Sequence, residues 1–422
     1  MNIGHAVPGW QRNLYVLAFA QFLSALGFSF VQPFLPLFVQ DLGVQDPNLA
    51  AFWTGVAQFA GGVCAFVVGP IWGILADRYG RKPMVLRSMF AGAAILGLTG
   101  FAPSVEFIVL FRGLMGAFTG VVAASSALAA SQAPRQRLVY AVGVIQMAFF
   151  LGNMGGPLVG GVLADAFGYR VPFFITAGVV LVGALTVLFY VKEQFQPATE
   201  QGKKASPIQN IRNVLGVPHL LPILVVLLFA QFGLTMLHPI LPVFMQSMVP
   251  ERAATMSGLA FALLGLVSAI AAMLVGRVGQ KETLAKVLVA SSFVAAFFYL
   301  PQFWVYSPLL ALLFFGLLGI PKGGLVTATN SLLSASVSRG EQGALFGVVQ
   351  SANAVAFGAG PLVGGTLGMA LGLRSVFVVD AALFFLVGVA AWRMLGKGEA
   401  TTARMDAGKT APEPVKQAPD RG

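Results

Sequence analysis

The hexapeptide Gly-Pro-Leu-Val-Gly-Gly occurs twice, at Gly156–Gly161 and at Gly360–Gly365, 204 positions apart and each time inside a long apolar run. Around it Gln146, Ala148, Leu163, Gly168, Arg170 and Phe173 recur in register as Gln350, Ala352, Leu367, Gly372, Arg374 and Phe377. Nearer the start of each half, Val31-Gln-Pro-Phe-Leu-Pro-Leu-Phe-Val-Gln40 is answered by Leu237-His-Pro-Ile-Leu-Pro-Val-Phe-Met-Gln246. Two unrelated apolar helices would share Leu and Val, but not Pro, Gly, Gln and Arg in register. The chain reads as two homologous halves, an arrangement from which many membrane carriers are built.

The apolar runs decide what each half is made of. Hydrophobic residues make up 57% of the 422 and charged ones 10%, against about 25% charged in a soluble domain. A span needs about 20 largely apolar residues, and in lipid a single chain segment satisfies its own backbone only as a helix. Twelve spans are expected: Asn13–Val39, Leu49–Leu75, Met84–Phe101, Val105–Ala130, Leu138–Ala164 and Val171–Val191, then Leu220–Gln246, Thr255–Gly276, Leu284–Trp304, Ser307–Ala335, Gly343–Gly368 and Ser375–Leu395. The expected fold is an all-α membrane protein of two pseudo-symmetric six-helix bundles, residues 1–191 and 220–395. A polar linker, 192–219, joins them; within it Ser206-Pro207 can start a short helix lying on the inner membrane surface. Residues 396–422 read as a disordered tail, and the first run is too long for a signal-peptide core, so it is expected to be retained as a span.

Charge sets the orientation. With the amino terminus in the cytoplasm, all but five of the 26 Lys and Arg lie on the cytoplasmic side; Arg170, Arg252 and Arg374 face outside, and Arg112 and Lys322 lie within spans. This bias places both termini in the cytoplasm of a cell (inner or plasma) membrane. The net charge of +11 is spread over many short loops rather than gathered in a patch, which argues against nucleic acid. A single cysteine, Cys64, gives neither a disulfide framework nor a thiolate metal site. Three His, no acid pair within the spans and no nucleotide-binding loop leave neither an enzyme nor an ATP-driven pump. No metal or other cofactor is expected, and a proton gradient is the expected energy source.

Three motifs stand out. Between spans two and three the chain reads Gly73-Ile-Leu-Ala-Asp77-Arg78-Tyr-Gly80-Arg81-Lys82; span four carries Arg112 with Gly116 and Gly120; span five carries Gly152, Gly156, Pro157, Gly160 and Gly161. Gly80 permits a tight turn, and Asp77 is a lone anion among cations, either an ion-pair partner that stiffens the loop or a cap for the amino-terminal end of a facing helix. The glycines of span five allow close helix packing, or a smooth seam between the halves, kinked at Pro157. The first motif resembles the loop signature of the major facilitator superfamily at every named position. The second and third resemble signatures of its twelve-span drug/proton antiporters, as do Trp10-x-Arg12-Asn13-Leu14 and Pro33-Phe-Leu-Pro-Leu-Phe38. The resemblance implies that Asp77 acts as a conformational switch against span eleven near Glu341 to Gly343. It also implies that Arg112 modulates proton coupling and that the span-five motif accompanies antiport. The second half keeps a worn loop copy, Gly276-Arg-Val-Gly-Gln-Lys281, with Gly276 where Asp77 stands. A switch of this kind is one-sided.

Ionisable groups inside spans point to function, because each is costly there unless paired. Lys322, mid-span, is read as facing a cavity or as buried in a structural pair. Asp380, within span twelve, is read as a proton carrier, a paired acid or a group at a watery lip. His238 holds in span seven the position of Gln32 in span one, and either relays protons or packs. Asp165, at the outer end of span five, is a further candidate for proton entry. Gln32, Gln146, Asn330 and Gln350 are polar points on spans expected to touch the central path. The expected function is a monomeric exporter that exchanges amphipathic small molecules for protons. No acid lies within spans one or seven, and Lys322 favours neutral or anionic substrates. The alternative is a proton-coupled symporter that imports an organic anion or another metabolite.

Overall fold

The computed structural model describes residues 9–118, 120–193, 220–277, 281–337 and 342–409, and every regular element among them is helical. Twelve candidate membrane helices are present among the described residues. Spans one, four, seven and ten are each broken in two: α1 Gly9–Phe30 and α2 Leu35–Asp41; α5 Val105–Phe118 and α6 Val121–Gln132; α9 Leu220–Met236 and α10 Ile240–Gln246; α13 Pro308–Leu317 and α14 Gly319–Ala335. The others are single helices: α3 Pro47–Tyr79, α4 Arg81–Gly100, α7 Leu138–Phe167, α8 Val171–Tyr190, α11 Ala253–Gly276, α12 Lys281–Tyr299, α15 Gln342–Leu371 and α16 Ser375–Lys409.

The breaks in spans one and seven are repeat-related and have a local cause, whereas in span ten the i→i−4 bonds run on through Leu318. In spans one and seven they fall at Gln32-Pro33 and His238-Pro239, where proline cannot continue the ladder. The freed amides close tight turns instead, Gln32 N–H to the Ser29 carbonyl at 3.3 Å and His238 N–H to that of Thr235 at 3.1 Å. In span four the chain turns at Gly120, whose φ of +126° suits glycine. The helices of spans five and eleven continue past Pro157 and Pro361 without a break. Span twelve differs from the sequence reading at its end. The helix continues to Lys409, with no proline before Pro412 to stop it, although the segment includes Gly396, Gly398 and Gly408. The proposed linker helix at Ser206-Pro207 and residues 410–422 lie outside the described residues.

Each bundle has its own apolar core, and the two are built alike. Phe38 meets Phe173 at 5.1 Å between ring centroids, and their repeat equivalents Phe244 and Phe377 meet at 4.8 Å. Arg170 lies over Phe38 at 5.5 Å and donates to the Gly100 carbonyl; Arg374 lies over Phe244 at 5.3 Å and donates to the Phe303 and Val305 carbonyls. Two of the three cations on the sparsely charged face are thus held by helix-end carbonyls and ring faces.

The duplicated hexapeptide explains how the bundles meet. Within the first bundle, Gly156 and Gly160 lie against Leu26, Ser29 and Phe30 of span one; in the second, Gly360 and Gly364 lie against Phe232, Thr235 and Met236 of span seven. The other side of each copy faces the opposite bundle. Gly161 abuts the Ala254 carbonyl of span eight, and the Pro157 carbonyl abuts Gly258. In the second copy Gly365 abuts the Ala51 carbonyl of span two, and the Pro361 carbonyl abuts Gly55. At these points no Cβ fits, so backbone rests on backbone.

Those seams occupy only half the membrane. Gly62 touches Gly358, but three helical turns along the same faces a Cβ at Gly73 or Gly347 would meet no described residue within 4 Å. Met154 touches Gly265, and three turns on, a Cβ at Gly143 or Gly276 would likewise meet no described residue within 4 Å. The bundles are closed at the face of the 41–46 and 247–252 loops and part over roughly 16 Å towards the face that carries the start of α1. A side chain at a seam position must overpack, at about 1–3 kcal/mol. Gly258→Val and Gly55→Val are therefore expected to lower the thermal midpoint of the purified protein by several degrees, and Gly143→Val to leave it nearly unchanged, as read by tryptophan fluorescence on heating.

Candidate functional site

The break in span seven sets His238 at the top of the opening, 9% exposed, with its ring against Phe261 of span eight at 5.7 Å and Phe357 of span eleven at 6.3 Å. Its Nδ1 has no hydrogen-bond partner among the described residues. Lys322 is the charged group whose field bears on this ring. Gly319 and Gly323 press α14 against span eight, and Gly324 presses it against Ser291 of span nine, which leaves Lys322 on the side turned towards His238. Lys322 is half-buried as a residue, and its ammonium makes no hydrogen bond or ion pair among the described residues. Below this group Gln231 Nε2 donates to Asn353 Oδ1 at 3.2 Å, and Asn353 Nδ2 donates to Gln350 Oε1 at 3.3 Å, a polar ladder joining spans seven and eleven. His238, Lys322 and Gln350 all belong to the second bundle, and Phe357, 49% exposed, lies beside His238.

The first bundle contributes a less polar wall. Gln32, at the equivalent break in span one, and Gln146 of span five are half-buried, with side-chain amides that bond no described residue; the same holds for Asn330 of span ten in the second bundle. Arg112 sits where span four packs on span two through Gly116 and Gly61, half-buried and likewise without a hydrogen bond or ion pair among the described residues. Met147 and Phe150 of span five are exposed along the free half of the seam face.

Two expected members lie elsewhere. Asp380 is wholly buried in the second bundle among Phe377, Ala381, Phe384 and Tyr299, and neither carboxyl oxygen has a partner among the described residues. It is neither at a watery lip nor in a visible ion pair. Its repeat equivalent Thr176 is equally buried with an unpartnered hydroxyl, so this position belongs to the bundle interior in both halves. Asp165 is at the closed end and accepts from Ala254 N–H at 3.3 Å and Thr255 N–H at 2.7 Å.

At the open end, the loop motif is held by a residue that the sequence reading missed. Glu193 accepts from Arg81 N–H at 2.9 Å and Lys82 N–H at 2.8 Å, capping α4. Arg81 also donates to the Ala127 carbonyl and Lys82 to that of Leu188, while Arg78 rests on Tyr79. The signal was present in the sequence as a lone acid directly after span six, beside Lys192. The side chains of Asp77 and of its expected partners at 342 and 343 are not described, and Glu341 lies outside the described residues.

The model of the Major Facilitator Superfamily matches residues 17–315 and 236–419. The chain belongs to that superfamily. It is 33% identical over 398 residues to the Multidrug resistance protein MdtG of Citrobacter koseri, a match that covers 93% of this chain and 97% of that one. The protein of the same name from Dickeya zeae is 34% identical over 390 residues, covering 92% and 95%. Among solved structures, a bacterial homolog of the human lysosomal transporter Spinster, inward-facing and occupied, superposes with a TM-score of 0.78 at 16% identity, covering 92% and 97%. The human organic anion transporter MFSD10 superposes with a TM-score of 0.65 at 20% identity, covering 91% and 100%. The shared fold is that of superfamily transporters, and this chain is a multi-pass secondary transporter of small molecules rather than an enzyme. Removal of the Glu193 cap leaves the α4 amides without a partner. Glu193→Ala is expected to lower stability by about 1–2 kcal/mol, and Arg78→Ala at the surface by less than about 0.5 kcal/mol, measured as thermal midpoints in detergent.

Proposed function

We propose that this superfamily member exports amphipathic small molecules by alternating access, driven by inward proton flow. The observation that carries the reading is the wall in which His238 stands between the rings of Phe261 and Phe357, with Lys322, unpaired among the described residues, in span ten of the same bundle. Apolar rings with few polar groups accept many shapes, and an unpaired ammonium selects against cations. The multidrug resistance proteins that match nearly the whole chain support export rather than uptake. The distribution of Lys and Arg supports assigning the open face to the cytoplasm, with both termini there, in the cell membrane. On that assignment the bundles are arranged to take substrate from inside.

The proton belongs on this reading to Asp380, an enclosed acid without a partner in the second bundle, with His238 as the group that faces the chamber and Arg112 as a cation that modulates coupling from the first. A monomer suffices, because both walls of the chamber come from one chain. A second reading has a specific observation behind it. Arg112 and Lys322 are both unpaired among the described residues, which suits an organic anion and leaves open its import by symport.

Proteoliposomes separate the two. An imposed proton gradient is expected to drive a fluorescent amphipath against its gradient, in the direction opposite to the proton. Lys322→Ala is expected to cut transport of an anionic amphipath about tenfold or more and that of a neutral one far less. Asp380→Asn is expected to abolish gradient-driven transport while leaving downhill exchange. Cotransport of anion and proton in the same direction would establish the symport reading. Parent-like behaviour of both variants would remove Lys322 and Asp380 from the mechanism.

A further inference from the structure

The closed face carries two sets of hydrogen bonds between the bundles. Gln40, at the end of α2, and Gln246, at the end of α10, are repeat equivalents 206 residues apart. They exchange both amide bonds, Gln40 Nε2 to Gln246 Oε1 at 2.9 Å and Gln246 Nε2 to Gln40 Oε1 at 3.0 Å. A contact in which each residue meets its own equivalent must straddle the axis relating the halves. The second set is one-sided. Span two caps itself, as Asp46 accepts from Asn48 N–H at 2.9 Å. The repeat equivalent of Asp46 is Arg252, and α11 has no side-chain cap of its own. Its amides at Ala254 and Thr255 are taken by Asp165 of the opposite bundle. In the other seam the equivalent of Asp165 is Met369, which has no carboxylate to offer.

We infer that Asp165, on the N-terminal end of span eight, and the Gln40–Gln246 pair form a latch that holds the closed face shut and must part for the chamber to open there. The capping bonds combine a carboxylate with the positive end of a 24-residue helix. The amide pair adds two bonds that no single side-chain rotation within one bundle can replace. Beneath both lie the glycine seams, which supply contact but no hydrogen bonds across the halves. The latch therefore sets how readily the closed face opens, whatever the substrate. It also assigns Asp165 a role other than proton carriage. A proton on Asp165 weakens its grip on the amides and favours opening of the closed face, whereas proton-driven export requires the protonated carrier to shut that face. Asp165 is a positioning residue.

The test uses the full-length protein in lipid nanodiscs, with Cys64→Ser and spin labels at Gln45→Cys and Leu309→Cys, one on each bundle at the closed face. Electron–electron double resonance reads the ratio of long to short distances. Asp165→Ala is expected to raise that ratio about tenfold, the equivalent of one charge-assisted hydrogen bond, and Asp165→Asn to raise it by less. Gln40→Leu and Gln246→Leu are each expected to raise it about threefold to tenfold. The double variant should do so no more than either single one, because it leaves no unpaired amide behind. Asp46→Ala, which removes a cap inside one bundle, is expected to lower the thermal midpoint without moving the ratio. An unchanged ratio in both Asp165 variants, or a fall in thermal midpoint like that of Asp46→Ala with no shift in distance, overturns the latch. So does strict additivity of the two glutamine substitutions.

Discussion

Helices in lipid gain nothing from hiding leucine from leucine, since the acyl chains are as apolar as the side chains, and association rests on how closely backbones approach. Between the bundles of this protein that approach happens along two lines, where the Pro157 carbonyl lies on Gly258 and the Pro361 carbonyl on Gly55. Everything else in the architecture follows from those lines. Each Gly-Pro-Leu-Val-Gly-Gly serves two partners, span one or seven of its own bundle on one side and span eight or two of the other bundle on the opposite side. One segment thus fixes the inside of a bundle and the contact between bundles together. A bulky side chain there would loosen both.

The repeat preserves packing and lets chemistry diverge. Phe38 and Phe244, Phe173 and Phe377, Arg170 and Arg374, and Ser29 and Thr235 do the same work in both halves; Ser29 donates to the Gly152 carbonyl as Thr235 does to that of Ala356. The polar differences fall largely on one side. His238 replaces Gln32, Asp380 replaces Thr176, and Lys322 stands in span ten. A twofold scaffold with uneven chemistry lets the bundles rock as equals while His238 and Lys322 lie in the second bundle and Arg112 in the first.

The sequence showed the spans, the duplication, the loop signature and the polar residues within membrane helices, because each is a local pattern in composition or spacing. It did not show that Asp380 points into a bundle core and Lys322 towards His238. Both are single ionisable residues in apolar runs, and only the rotation of each helix against its neighbours separates them. Glu193 and Asp165 were hidden for another reason. Each acts on backbone amides, which leave no trace in the partner's residue type, and a carboxylate bonded to amides looks in sequence like any acid near a span end. The breaks in spans one and seven were marked by Pro33 and Pro239, but the apolar runs continue across them, so hydropathy alone joined each pair of helices into one span.

A carrier that alternates must keep its two arrangements within a few kcal/mol of each other, because a state held more firmly than its ligands can repay is never left. The glycine seams meet this requirement in a particular way. Their contacts are numerous, shallow and free of hydrogen bonds across the bundles, so they can be parted gradually and re-formed without leaving buried polar groups unpaired. The specific polar bonds of the closed face sit at its rim, around Gln40, Gln246 and Asp165, where water can take over each donor and acceptor as the face opens. Lys322 and His238, by contrast, lie beneath the seams. In the arrangement seen here the open end alone reaches them, and parting of the seams would expose the same groups from the opposite side without moving them within their own bundle.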